Sequence, residues 1–329
     1  MNKQDTYWDN AAQTFLIGLI LYIFAHEPEE RRNLVRLRQL VMEGEVEAYD
    51  EYVANGTINP GALTPFDVLL EKMIAVRKKD YGNIIAGAAS SVRQMGPAQM
   101  GGVITSAQEH TSFLDAPALQ RISLESDFLL ARLKNRPTSV YVCLPINTVH
   151  GKEGRWLRMF VLLFIDMMMR EQAKPRTPVL LAIDEFPSLG RLEGIDIVAP
   201  VMRSYGVRFW AVAQDIDQLA SVYPDCWAGF IGGAEVVQFM GVKHPGTVEF
   251  LSKLLGHHVV QEMDQLSGRT RKIERPLIDP NQISRLLARD QGNQIIWRGD
   301  KRPMLLKITP YYEYMPKNYY SPDPRYAKR

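Results

Sequence analysis

The chain has 329 residues, 46% of them hydrophobic, enough for one large domain or two smaller ones with proper cores. Its formal net charge of +2 excludes a protein that binds nucleic acid through bulk basicity. Two cysteines, Cys143 and Cys226, with no C-x-x-C spacing exclude a disulfide framework or a zinc site and read as reduced thiols of a cytosolic protein.

The first stretch, MNKQDTYWDNAAQ, lacks the charged-then-apolar layout of a signal peptide. Residues 8–25 suit a helix buried on most sides. The apolar runs at 15–25 and 159–169, the second broken by Asp166, fall short of the roughly 20 residues a bilayer span needs. Both are expected to be core helices of a soluble chain. From 27 to 121 the sequence is charged and helical, with turn-rich breaks and no period-2 strand, so an all-helical segment is expected there.

From residue 137 the texture alternates. Strands are expected at 139–146 (SVYVCLPI), 178–184 (PVLLAID), 207–213 (VRFWAVA) and 234–242 (AEVVQFMGV). Between them lie helical stretches at 154–172, 192–206 (interrupted by Pro200) and 215–223, with another at 246–256 that Gly256 can end. Short apolar strands alternating with helices predict an α/β fold, its sheet mostly parallel and covered by helices on both faces. Residues 293–308 read as two strands joined by a Gly-Asp turn, followed by a Tyr/Pro-rich tail.

The stretch LLAIDEFPSLGRL, 180–192, ends an apolar strand on Asp184 and Glu185. In a parallel α/β sheet ligands bind beyond the carboxyl ends of the strands. An apolar strand followed by Asp and then Glu is the Walker B layout. The Asp holds Mg²⁺ through water, and the Glu polarises the attacking water. The plainer reading is a helix-capping carboxylate beside a solvated one. Gln214 directly follows the next strand, where a carboxamide can donate to phosphate and accept from water at once. Arg203 stands where a ring ATPase could present an arginine finger to its neighbour, with Arg208 as competitor; the plain alternative is a cation at a helix C-terminus. A phosphate-binding loop, G-x-x-x-x-G-K-[ST], is missing. The nearest match, GNIIAGAA at 82–89, has Ala88 and Ala89 in place of Lys and Ser/Thr, with no strand before it.

In this order, these segments resemble the C-terminal two-thirds of the cytoplasmic motor of TraG/TraD-like coupling ATPases of type IV secretion and conjugation. The resemblance runs from YWDNAAQTFLIGLILYIF and TSFLDAPAL through SVYVCLPINTVHGKEGRWLRMFV. It continues over LLAIDEFPSLGRL, RSYGVRFWAVAQDIDQL and WRGDKRPMLLKITPYY. It implies a RecA-like P-loop NTPase core interrupted by an all-α domain: 1–26 the first motor helix, 27–125 the insertion, 126–329 the rest of the motor. It implies ATP and Mg²⁺ as cofactors, with Asp184 on the metal, Glu185 as catalytic base, Gln214 as sensor and Arg203 as the finger acting in trans. It further implies a hexameric ring on the cytoplasmic face of the bacterial inner membrane. The ring would deliver DNA–relaxase complexes or protein effectors to a secretion channel. The family's membrane helices and P-loop are expected upstream of Met1. In the family fold the P-loop strand borders the sensor strand, so an N-terminal partner fragment carrying that loop is a further expected partner.

Arg269, Arg271, Lys272 and Arg275 concentrate in an expected loop that could meet a phosphate backbone; a solvated loop is the plainer reading. In the helical segment acids outnumber bases, which favours docking of protein over DNA there. His257 and His258 are adjacent, so their side chains diverge and metal binding is not expected. Two other functions stay in view. One is a non-catalytic substrate-binding or adaptor subunit with an incomplete nucleotide site. The other is a metal-dependent nuclease built on Asp184 and Glu185, which would need more ligands than the sequence offers.

Overall fold

The computed structural model describes residues 3–76, 81–263 and 270–321, which fall into two compact units, Met1–Ala173 and Lys174–Arg329.

The first unit is helical. Its helices are α1 (Lys3–His26), α2 (Leu34–Glu43), α3 (Val46–Ala54), α4 (Pro65–Ala75), α5 (Gly82–Arg93), α6 (Pro97–Thr111), α7 (Pro117–Ile122), α8 (Ile146–Val149) and α9 (Gly154–Arg170). The breaks follow local chemistry. Asn33 caps α2 by accepting from the Arg36 amide, and Thr64 and Asp67 form a capping box before Pro65 at the start of α4. One core gathers Phe15 and Leu19 of α1 with Leu40, Leu69, Met73 and Ile85. Gly18 sets how closely α1 and α5 approach, since a Cβ there would lie 2.4 Å from the Ala88 Cβ. Arg38, nearly buried, ties α2 to the end of α6. It donates to both Asp115 carboxylate oxygens (2.7 and 2.6 Å), to the Gln108 carbonyl and to Thr111 Oγ1.

By length and composition α1 could cross a membrane. Here Ala12, Phe15 and Leu19 face the helical core while Ile17, Ile20 and Phe24 are exposed. The helix 1–26, expected with the motor core, thus packs with the all-helical segment. The break between units falls after Ala173, where a boundary at 125/126 was expected. The strand expected at 139–146 is absent. Residues 137–145 carry no ladder partner among the described residues, and α8 begins at Ile146. Tyr141 is 86% exposed. Alternating apolar residues make a strand only when another strand takes up their amides.

The second unit holds β1 (Val179–Ile183), β2 (Val207–Ala211), β3 (Val237–Met240), β4 (His257–Met263), β5 (Thr270–Pro276), β6 (Asn293–Trp297) and β7 (Met304–Lys307). Its helices are α10 (Ile195–Val198), α11 (Ile216–Val222), α12 (Trp227–Gly232), α13 (Pro245–Leu255), α14 (Pro280–Leu286) and α15 (Tyr311–Tyr314). The sheets are mixed, not mostly parallel. β1 and β2 pair in parallel, β3–β6–β7 are antiparallel, and β4–β5 form an antiparallel ribbon. Nor are both faces covered, since Leu180 of β1 and Trp210 of β2 are more than half exposed. The expected helix 192–206 shortens to α10 and a 3-10 turn (Met202–Tyr205), broken by Gly194, Pro200 and Gly206. Gly206 has φ +77°, and a Cβ there would strike the Pro175 ring at 2.6 Å. A compact core joins Phe239, Val248, Leu251, Ile283 and Ile295.

Candidate functional site

Asp184 and Glu185 leave the carboxyl end of β1, and the chain stays zipped to β2 beyond the ladder. The Val212 amide donates to the Ile183 carbonyl (3.0 Å), and the Phe186 amide to the Val212 carbonyl (2.8 Å). Between these two bonds Glu185 adopts a left-handed conformation, φ +52° and ψ +47°. A residue with a side chain pays about 1 kcal/mol or more for that geometry, which surroundings must impose. It turns the Glu185 carboxylate toward the end of β2, where Glu185 Oε2 accepts a 2.9 Å hydrogen bond from Gln214 Nε2. Twenty-nine positions apart in sequence, the two meet because Ile183 and Ala211 share a register in the parallel pair.

The loop that carries the acids is anchored from below. Phe186 stacks on Tyr223 with ring centres 5.5 Å apart, and Tyr223 Oη accepts from the Leu192 amide at 3.1 Å. Burial, the first cause, raises the Tyr223 pKa, so its phenol stays protonated. On the other side Asp215 caps α11 by accepting from the Gln218 amide (2.7 Å), and Gln218 Oε1 accepts from the Gln214 amide (3.3 Å). The Ile216 amide donates to Thr247 Oγ1 of α13. Sequence reasoning passed over Gln218, Tyr223 and Thr247. The Asp215–Gln218 spacing of a capping box was a readable signal; the Tyr223 and Thr247 bonds, each 31 positions long, were not.

Asp184 is exposed and makes no hydrogen bond or ion pair among the described residues. No group of three or more His, Cys, Asp or Glu able to hold a metal occurs among them. Such a lone carboxylate fits an ion that keeps most of its waters and takes the rest of its shell from phosphate, as Mg²⁺ does. It does not fit the ligand-rich centre a metal-dependent nuclease needs.

Arg203 does not join this rim. It lies in the 3-10 turn before β2, at the opposite end of the strand, so roughly 13 Å of β2 separates it from the acidic end. Its Nη1 is 3.9 Å from Glu235 Oε2, an oxygen that Arg208 Nη1 approaches to 3.4 Å. Within one chain Arg203 therefore stands apart from the other three side chains. A turn that enters a strand sits at the amino end, whereas Asp184, Glu185 and Gln214 leave carboxyl ends.

The expected basic loop is strand β5 instead, and its charges divide. On a ribbon successive side chains alternate faces, so Arg271 and Arg275 lie on one face and Lys272 on the other. Arg275 is ion-paired with Glu262. Arg269 lies outside the described residues. The segment 82–89 is the first part of α5, with no strand before it among the described residues, so it is helix and not a phosphate loop.

The match to the family model for type IV secretory system conjugative DNA transfer extends over residues 1–327. The chain belongs to this family. It is 26% identical over 208 residues to Protein VirD4 of Agrobacterium fabrum (strain C58 / ATCC 33970), covering 60% of this chain and 30% of that one. To the conjugal transfer protein TraG of Escherichia coli it is 22% identical over 313 residues, covering 86% of this chain and 46% of that one. The chain thus spans less than half the length of these relatives. Its fold is similar to that of the bacterial conjugative coupling protein TrwB lacking its first 70 residues (TM-score 0.55, 16% identity, 94% of this chain and 68% of that one). It is also similar to TrwB in complex with ADP and Mg²⁺ (TM-score 0.52, 18% identity, 94% and 69%). The chain is therefore a type IV coupling protein by family, with an α/β unit of the TrwB kind.

Proposed function

We propose that this chain carries the Walker B and sensor half of an ATP-driven coupling motor. The observation that supports it most is the 2.9 Å bond between Gln214 and the strained Glu185 at the carboxyl ends of two parallel strands. Asp184 would hold Mg²⁺ through water, and the ion would supply charge neutralisation at the phosphates. Glu185 is the base that orients and deprotonates the attacking water. Gln214, donating to Glu185 through one amide N–H, keeps its second N–H for the terminal phosphate and its carbonyl oxygen for the same water, and so reports whether that phosphate is present. Arg203, at the far end of β2, acts across a hexameric ring on the site of a neighbouring subunit. The motor is a RecA-like core interrupted by an all-α domain, working at the cytoplasmic face of the inner membrane. It delivers DNA–relaxase complexes or effector proteins to the secretion channel.

The phosphate loop comes from a further strand that pairs with β2. That edge is open among the described residues, and Trp210 on β2 is 56% exposed, a surface fit for another strand and its cover. ATP turnover by the 329-residue chain, alone and mixed with a segment carrying strand and P-loop, tests this reading. Glu185→Gln should lower the completed activity about 10²–10⁴-fold. An unchanged rate would overturn the assignment. Absence of turnover and of nucleotide binding in both mixtures would favour the non-catalytic adaptor.

A further inference from the structure

The helical unit contains a cavity of about 210 Å³ between the end of α1, α2, α3 and α4. Its wall includes a self-satisfied ionic network. Arg36, 7% exposed, is held by Glu27 (2.7 Å) and Glu45 (3.0 Å). Arg31 makes a two-pronged pair with Glu47, both bonds 2.7 Å. What remains after these pairings is informative. Tyr22 is 93% buried, yet its hydroxyl donates to nothing among the described residues and is open to the cavity it lines. Glu45, 97% buried, engages Arg36 through one oxygen only. Glu51 and Lys72 line the same space without an ion-pair partner among the described residues.

Four carboxylates (Glu27, Glu45, Glu47, Glu51) face three cations (Arg31, Arg36, Lys72), so, His26 left aside, the lining has one more acidic than basic side chain. Burial, then Glu45 and Glu27, push the Tyr22 pKa far up, so the phenol stays neutral and adds no charge. A phenol oxygen and a carboxylate oxygen left without a protein partner at one opening are free to take a ligand in place of water. The absence of any three-ligand cluster among the described residues argues against a metal ion. A planar cation with several N–H donors matches better. The lining offers it carboxylates, Glu45 and Glu51 among them, the Tyr22 oxygen, and the Tyr22–His26 ring pair, whose centres lie 5.4 Å apart.

We propose that this cavity binds a guanidinium group, as carried by an arginine side chain. The site is independent of the nucleotide chemistry of the other unit. Calorimetric titration of the full chain with Nα-acetyl-arginine methylamide, with free arginine and with the neutral analogue Nα-acetyl-citrulline methylamide tests it. Neither Tyr22→Phe nor Glu51→Gln removes a bond the folded protein uses, so both variants should melt like the parent. The blocked arginine should bind and the citrulline should not. Each variant should weaken binding by about tenfold, the worth of one hydrogen bond to a charged group. Tighter binding of the blocked form assigns the site to arginine within a polypeptide, and tighter binding of free arginine assigns it to the amino acid. Equal binding of citrulline, no binding of either arginine, or indifference to Tyr22→Phe would overturn the proposal.

Discussion

The two units solve the same packing problem differently. In the helical unit the regular backbone bonds of α1–α6 run within each helix, and the Glu45 amide donating to the Pro65 carbonyl is a bond between segments. The apolar stripes then close on a single core that includes Phe15, Leu19, Leu40, Leu69, Met73 and Ile85. In the α/β unit the strands depend on neighbours. Among the described residues β1 and β2 pair only with each other, and Leu180 and Trp210 stay more than half exposed. A helical bundle finishes itself locally, whereas a sheet is as complete as its edges allow. The carboxylate–amide pair reflects the same difference: Glu185 and Gln214 meet where two paired strands end, beside an edge that is open among the described residues.

The largest expected effect lies in that pair. Glu185→Gln should cost the completed motor about two to four orders of magnitude in turnover and leave the melting profile unchanged. Next is Gly18→Val in the other unit. Pushing the Ala88 methyl away should cost about 1–3 kcal/mol. Hydrogen exchange should then speed up in α1 and α5 while β1 and β2 keep their rates. Arg38→Met should cost about 2 kcal/mol, because it takes the charged bonds from Gln108 and Thr111 but leaves Asp115 hydrated at a half-exposed position; denaturant titration reads it. Smallest in stability, at about 0.5 kcal/mol or less, is Trp210→Thr on the exposed face of β2. It should instead reduce concentration-dependent self-association in sedimentation, and an unchanged sedimentation profile would mean that the open face is not adhesive.

Part of this was readable residue by residue. The run VLLAI ending on Asp184–Glu185, and VRFWA followed closely by Gln214, marked two strands and their carboxyl ends, because burial and period are local properties. The same rule misled at 139–146, where the pattern is strand-like but no ladder partner is present among the described residues. It also passed over β4 and β5, whose residues face solvent on both sides and so carry no burial pattern to read.

Composition and local pattern alone settled that the chain has an all-helical stretch followed by an alternating one, and that two acids and an amide terminate apolar strands. These depend on near-neighbour spacing, which a sequence states directly. Only the folded chain decided that Glu185 turns left-handed to meet Gln214, that Arg203 stands at the other end of β2, and that Tyr22 is left without a partner beside Glu45. Each is a relation between segments distant in sequence, set by strand register and helix packing, and no local signal encodes it.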